Sequence, residues 1–305
     1  MGVLSWSPIP APFVAMARIA PDPSAAAYSP TASLVHDWTL PHPALRAHVD
    51  RYWTSVGAAG TLLPTLLPGT GVELFFHLGQ PFVTLGAAGT RLAPRAHLGY
   101  LRSRPMRLRA DAGFEVVAVR IRSGALRHLC PALPAGGADD PLAAAELWGH
   151  ELDIVADRLC EAGTLAARAR VLDAWLLGCL EAHAASEGWI DRAVDDLYYR
   201  HADARIDALA ADCGFSRRHF ERRFKLAIGC SPKAFQRVAR FQHTMRELTL
   251  GGGARYLDAA LAHGFYDQAH FIREFESFVG EQPGHFLADQ RGRSHFYNAS
   301  LPRRR

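Results

Sequence analysis

Arg218, Glu221 and Arg222 stand at i, i+3 and i+4, the spacing that gathers side chains into one patch on a helix. Arginine carries a planar fork of donors that can grip O6 and N7 of guanine, or two oxygens of a phosphate. Glutamate can accept from N4 of cytosine. Arg217, Arg223 and Lys225 flank the patch. Arg217 and Arg223 suit phosphate contacts or plain solvation, and Glu221 has a second use as an ion-pair partner of Arg217 or Lys225, four residues away on either side. A second candidate patch holds Gln268, Ala269, Ile272 and Arg273, in which Gln268 could read adenine and Arg273 could take guanine or a phosphate. His219 and His270 sit beside phenylalanines and fit capping or packing. Arg237 and Arg240 serve equally well as salt-bridge formers or as nucleic-acid ligands. Most charged stripes of this kind are solvated helix faces, so the patches acquire meaning only from what positions them.

Other chemistry finds weaker support. The five cysteines, Cys130, Cys160, Cys179, Cys213 and Cys230, form no CxxC pair. That usage fits reduced thiols and gives no zinc-ligand spacing. His36, His42, His48, His77 and His97 could bind a metal inside a cupin-like barrel, but their spacing follows no ligand motif. Gly251, Gly252 and Gly253 lack the lysine and the strand-turn-helix setting of a phosphate loop. No catalytic site, metal or cofactor is therefore expected.

An internal repeat supplies the context. Phe220, Arg222, Phe224, Gly229, Pro232 and Phe235 recur fifty-one residues later as Phe271, Arg273, Phe275, Gly280, Pro283 and Phe286. Upstream, Ala210, Gly214 and Phe215 recur at an offset of fifty as Ala260, Gly264 and Phe265, so the second copy holds one extra residue in its turn. Each copy reads helix, glycine turn, helix, the layout of a helix-turn-helix. In the first copy Ile206, Leu209 and Ala210 face inward, Gly214 ends the first helix, Ser216 caps the second, and Phe220 and Phe224 anchor it. Asp267, Phe271 and Phe275 take the corresponding roles in the second copy. A Ser231 cap and Pro232 at the first position open a long connecting helix that runs to about Thr249 and stops at the three glycines. At 1.5 Å per residue it spans about 27 Å, near the ~34 Å turn of a DNA duplex.

Charge is distributed unevenly between the two halves. Residues 1–185 carry as many acids as bases, whereas residues 186–305 hold the whole net charge of +4. Within the repeat, residues 205–246 balance at +7 and residues 255–289 at −4. Residues 1–30 read as a disordered, proline-broken leader without the basic start of a signal peptide, in which Met16 is an alternative start. Apolar runs at Val72–Leu78, Phe82–Leu85 and Phe114–Ile121 predict a mostly-β domain over 31–135. Leu152, Val155 and Leu159, a C-capping Gly163, a capping Thr164 and the stripe Leu165, Ala169, Leu172, Leu176 and Leu180 predict a helical hairpin over 136–185, placed as a linker between domains. The double helix-turn-helix then spans 186–290, and 291–305 is a basic flexible tail. The fold class is α+β. With 49% hydrophobic residues each domain can bury a core, and no apolar run reaches membrane-spanning length.

The doubled motif, with its Gly-Phe, Phe-x-Arg-x-Phe and Gly-x-x-Pro-x-x-Phe elements in register, resembles the DNA-binding domain of the AraC/XylS family of transcription regulators over about residues 189–290. Residues 31–185 resemble, through the run Leu67–Gly79 and through Leu147-Trp148-Gly149, an uncharacterised domain found ahead of it in some bacterial members. The likeness implies a cytoplasmic, operator-binding regulator that reads two successive major grooves and is not an enzyme. Its partners would be double-stranded DNA, a small-molecule effector, RNA polymerase and a second copy of the chain. The effector site is expected in the apolar interior around Phe75, Phe76 and Phe82. Two alternatives are an architectural DNA-binding protein without an effector and a cupin-like metal enzyme fused to a DNA-binding domain. None of the cysteines lies in the reactive motif of the family's DNA-repair relatives.

Overall fold

The structure, a computed structural model, describes residues 35–61, 63, 65–86, 89–132, 141–183, 187–250 and 256–290. The leader, Gly251–Gly253 and the basic tail lie outside these residues. Among the described residues nine strands come first: β1 Val35–Thr39, β2 Val49–Gly57, β3 Val72–His77, β4 Val83–Gly86, β5 Gly89–Leu92, β6 Ala96–Tyr100, β7 Arg107–Arg109, β8 Phe114–Ile121 and β9 Leu142–Ala143. They form an antiparallel sheet in the order β1-β2-β8-β3-β6-β9 and a smaller one in the order β5-β4-β7. After α1 (Ala145–Trp148), helices α2 (Glu151–Glu161) and α3 (Leu165–His183) complete this half.

The large sheet is buried on both faces, which is why β3 is buried at every residue. Successive strand side chains point to opposite faces. Val72, Leu74 and Phe76 join Tyr52, Val117 and Val119 in a core with α2 and α3, and Phe76 meets Trp175 edge-on at 6.2 Å. Phe75 points the other way, into a second core with Trp53, Phe82, Met106 and Phe114 beneath the small sheet. The expected single interior around Phe75, Phe76 and Phe82 is therefore corrected: Phe76 lies across the sheet from the other two.

The helical hairpin is present, but as a layer of this fold rather than a linker between domains. Leu152, Val155, Leu159, Leu172, Trp175 and Leu176 share the sheet's core. Thr164 caps α3 by accepting from the Ala167 amide at 3.2 Å. Gly163 is not the cap of α2; Ala162 ends that helix in an extended conformation. Arg168 is buried on α3 because its Nε donates to the carbonyls of Leu159 and Ala162 at the end of α2, and its Nη1 pairs with Glu115 at 2.6 Å. Tyr52 fastens the same helix to the sheet, donating to Asp173 at 2.8 Å.

Among the described residues seven helices follow: α4 Gly188–Tyr199, α5 Ile206–Asp212, α6 Arg217–Ile228, α7 Pro232–Leu250, α8 Tyr256–Ala262, α9 Gln268–Val279 and α10 Pro283–Gln290. They build two small cores. Ile190, Val194, Leu197, Ile206, Ala210, Phe220, Phe224, Ile228 and Phe235 make the first. Phe241, Met245, Ala260, Phe265, Phe271, Phe275, Phe278 and Phe286 make the second. Helix α7 thus gives its first turn to one unit and its middle to the other, as a connector shared by two repeats must. The sheet half grips the same helices. Gln242 on α7 accepts from the amide and hydroxyl of Thr70 at 2.9 and 2.7 Å, Tyr100 donates to the Ile228 carbonyl at 2.6 Å, and Arg127 pairs with Asp191 on α4 at 2.6 Å.

Candidate nucleic-acid interface

Each second helix of the repeat is started and stopped by local chemistry. Ser216 accepts from the His219 amide and Asp267 from the His270 amide, satisfying donors at the first turns of α6 and α9. Gly214 and Gly264 enter the turns at φ of +69° and +84°, where a side chain would be strained. Gly229 and Gly280 close both helices in the left-handed region. Replacing Ser216 with Ala is expected to cost about 1 kcal/mol of stability, the usual worth of such a cap. Urea denaturation of the two chains checks this, and an unchanged midpoint would show that the cap adds nothing.

Phe220, Phe224 and Ile228 bury one face of α6, which leaves Arg218, Arg222 and Lys225 exposed on another. Among the described residues, these three cations have no ion pair within the chain. Leu226, at i+4 from Arg222, extends the same stripe and is 75% exposed. Reasoning from the sequence omitted it because an apolar residue in an amphipathic helix is assigned to the core; its signal was its place in the 218, 222, 226 row. Arg217 is turned aside: its Nε donates to Glu221 at 2.9 Å and its Nη1 to Asp207 at 3.1 Å. The Glu221 hydrogen bond and the Asp207 charge raise its pKa further. Glu221 therefore takes the ion-pair role with Arg217, while staying half-buried beside the stripe.

On α9, Phe271, Phe275 and Phe278 face the core, and Gln268, Ala269 and Arg273 are exposed. Ile272 is half-buried and packs against the second core, so it lies at the edge of this surface. Tyr266, the extra residue in the second turn, is 87% exposed immediately before the cap. Its signal was the slip from an offset of fifty to fifty-one. His219 packs on Phe215 with ring centres 4.8 Å apart, and His270 pairs with Glu274 at 3.1 Å, so both are structural. Arg237 and Arg240 on α7 are salt-bridge formers, reaching Glu274 at 2.9 and 2.8 Å.

The arrangement is two capped helices, each anchored by phenylalanines and each presenting an exposed polar stripe. The stripe on α6 is strongly basic. That on α9 mixes an amide, a methyl group and one guanidinium. Among the described residues no group of three or more His, Cys, Asp or Glu is placed to hold a metal ion, and no helix is long and apolar enough to cross a membrane.

Comparison with known proteins matches residues 209–289 to a family described as a helix-turn-helix domain and residues 38–138 to a domain of unknown function, DUF6597. The chain is 32% identical over 87 residues to the probable transcription factor PqrA of Proteus vulgaris, covering 28% of this chain and 70% of that protein. It is 30% identical over 105 residues to the HTH-type transcriptional regulator MtrA of Neisseria gonorrhoeae, covering 33% of this chain. It spans about a third of MtrA, 35% of that length. A solved structure of ToxT from Vibrio cholerae aligns over 78% of this chain and 98% of its own, with 12% identity and a TM-score of 0.48.

Proposed function

The chain belongs to the AraC family of transcription regulators, and we propose that it binds a specific operator by laying α6 and α9 into successive major grooves of one duplex. One observation carries this reading. Two helices related by the repeat are held by matching caps and phenylalanine anchors, and both leave their polar stripes open. Helix α7, with 19 residues, is about 28 Å long at 1.5 Å per residue, which suits units spaced by one duplex turn of ~34 Å. Arg218, Arg222 and Lys225 supply the backbone and base contacts of the first unit, and Gln268, Ala269 and Arg273 those of the second. On this reading the chain is a cytoplasmic regulator rather than an enzyme, and RNA polymerase and a second copy of itself are its protein partners.

The sheet half is the effector-responsive part. What supports this is its grip on α4, α6 and α7, made by Arg127 on Asp191, by Tyr100 on the Ile228 carbonyl and by Thr70 on Gln242. Selection of bound sequences from a random duplex pool tests the DNA-binding reading. The expected outcome is enrichment of two short half-sites whose centres lie about 10 base pairs apart. A pool that stays random after repeated rounds would refute it.

A further inference from the structure

The repeat carries an ion pair whose sign is reversed between its copies. In the first unit Arg223 on α6 pairs with Glu187, the residue just before α4. In the second, Glu274 on α9 pairs with Arg237 on α7 at 2.9 Å. Glu187 and Arg237 are fifty residues apart, the offset of the repeat upstream of its turn, and Arg223 and Glu274 are fifty-one apart, the offset downstream. The same two repeat positions therefore hold an acid and a base in opposite order. In each unit a guanidinium also covers the turn phenylalanine: Arg223 lies 5.9 Å from the ring centre of Phe215, and Arg240 lies 4.6 Å from that of Phe265.

The second pair is the more heavily built. Glu274 is 5% exposed. Besides Arg237 it receives Arg240 at 2.8 Å and His270 at 3.1 Å, and Arg240 donates in turn to the Gly264 carbonyl at 3.2 Å. One carboxylate thus ties together the connecting helix, the turn and α9. A buried charge left without its partners is strongly unfavourable, so this geometry has little freedom to drift.

We propose that the two pairs are orientation latches, each fixing a recognition helix against its own supporting segment, and that the reversed signs reject the wrong pairing. Arg223 would meet Arg237, and Glu274 would meet Glu187, if a unit docked on the other's support. Like charges brought together disfavour that arrangement, a discrimination that attraction alone would not supply. Glu274 and Arg223 are positioning residues. They act through the angle of α9 and α6, which sets where the stripes meet the duplex.

The proposal rests on the DNA-binding reading, and the experiment separates the two. Glu274→Gln is compared with the unaltered chain on three duplexes: the selected operator, the operator with its second half-site scrambled, and the operator with two base pairs inserted between half-sites. The unaltered chain is expected to favour the intact operator over both others. Glu274→Gln is expected to bind the scrambled duplex as the unaltered chain does, which also shows that the first unit is folded. On the intact operator it should lose about a hundredfold, the lower end of what two linked modules gain by engaging together. A second pair of variants covers the first latch. Glu187→Arg alone should weaken the first half-site, and Glu187→Arg combined with Arg223→Glu should restore it. If Glu274→Gln keeps the full preference for the intact operator, or loses equally on every duplex, the latch is overturned while DNA binding stands. Failure of the exchanged pair to restore the first half-site also overturns it. A chain that prefers no duplex removes the DNA-binding reading and the latch together.

Discussion

Lowering the pH from 7.5 to 5 is expected to destabilise the chain by several kcal/mol, and replacing His77 with Phe is expected to remove part of that loss. His77 lies on β3 in the core beneath the small sheet, 1% exposed, stacked on His97 with ring centres 5.1 Å apart. Among the described residues neither of its ring nitrogens has a hydrogen-bond partner. Burial, followed by the neighbouring His97, lowers its pKa to about 3. Burial also takes His97 to about 4, against the opposing hydrogen bond that its Nδ1 donates to the Pro94 carbonyl. Both rings are neutral when folded and take up a proton near 6.5 when unfolded. Their contribution is intact above pH 6.5 and falls as the pH drops below it, because the unfolded chain then binds more protons. At pH 5 each ring accounts for about 2 kcal/mol, from ~1.4 kcal/mol per pH unit. His48 and His243, lowered to about 4 and about 3 chiefly by burial, are only half-buried and add less. Total stability of a folded domain is only ~5–15 kcal/mol, so the sum is decisive. His77→Phe keeps an aromatic ring in place and deletes two unsatisfied polar atoms. It should raise stability at pH 7.5 by about 1 kcal/mol and flatten the slope below pH 6.5. Urea titrations at pH 7.5, 6 and 5 measure both. Equal slopes for the two chains would mean that His77 titrates normally in the fold.

What the sequence discloses of this fold is what local chemistry decides. Ser216, Asp267, Gly214 and Gly264 act on backbone groups within four residues of themselves, so their spacing placed the turns and caps of α6 and α9 correctly. Phe220, Phe224, Phe271 and Phe275 follow from helical periodicity in the same way. What needs a partner far along the chain was hidden. The stripe on α3 showed that one face is apolar but not that it would cover the sheet. The burial of Arg168 likewise depends on groups brought to it by the fold, the carbonyls at the end of α2 and the carboxylate of Glu115. Phe75 and Phe76 read as one apolar run because a strand buried on both faces has no alternation to expose its two sides. At the interface, the stripes that hold Arg218 and Arg222 on α6 and Arg273 on α9 were legible from spacing. The diversion of Arg217 to Asp207, and of Arg237 and Arg240 to Glu274, was not, because those partners lie ten to thirty-seven residues away.

Those ion pairs, with the charge balances of +7 over residues 205–246 and −4 over 255–289, lead to the expectation that the first unit dominates binding. Of the ten bases between residues 205 and 246, Arg217, Arg223, Arg237 and Arg240 are neutralised within the chain. Arg218, Arg222 and Lys225 remain on the open stripe of α6. On α9 the outward cation is Arg273, since Glu274 is buried and compensated. Phosphate contacts supply most of the sequence-independent affinity and its dependence on salt. Arg222→Ala should therefore cost about 1–3 kcal/mol if its guanidinium grips a guanine, and relax the preference at one base pair. If Arg222 holds a phosphate instead, every sequence weakens alike and the salt slope falls by about one. Arg273→Ala should cost less, because α9 contributes an amide and a methyl beside it and engages a duplex that α6 already holds. Fluorescence anisotropy on the selected operator and single-base variants, across a salt series, distinguishes these outcomes. Should Arg273→Ala weaken binding more than Arg222→Ala, the basic stripe of α6 does not lead, and the second unit carries the larger share of the binding energy.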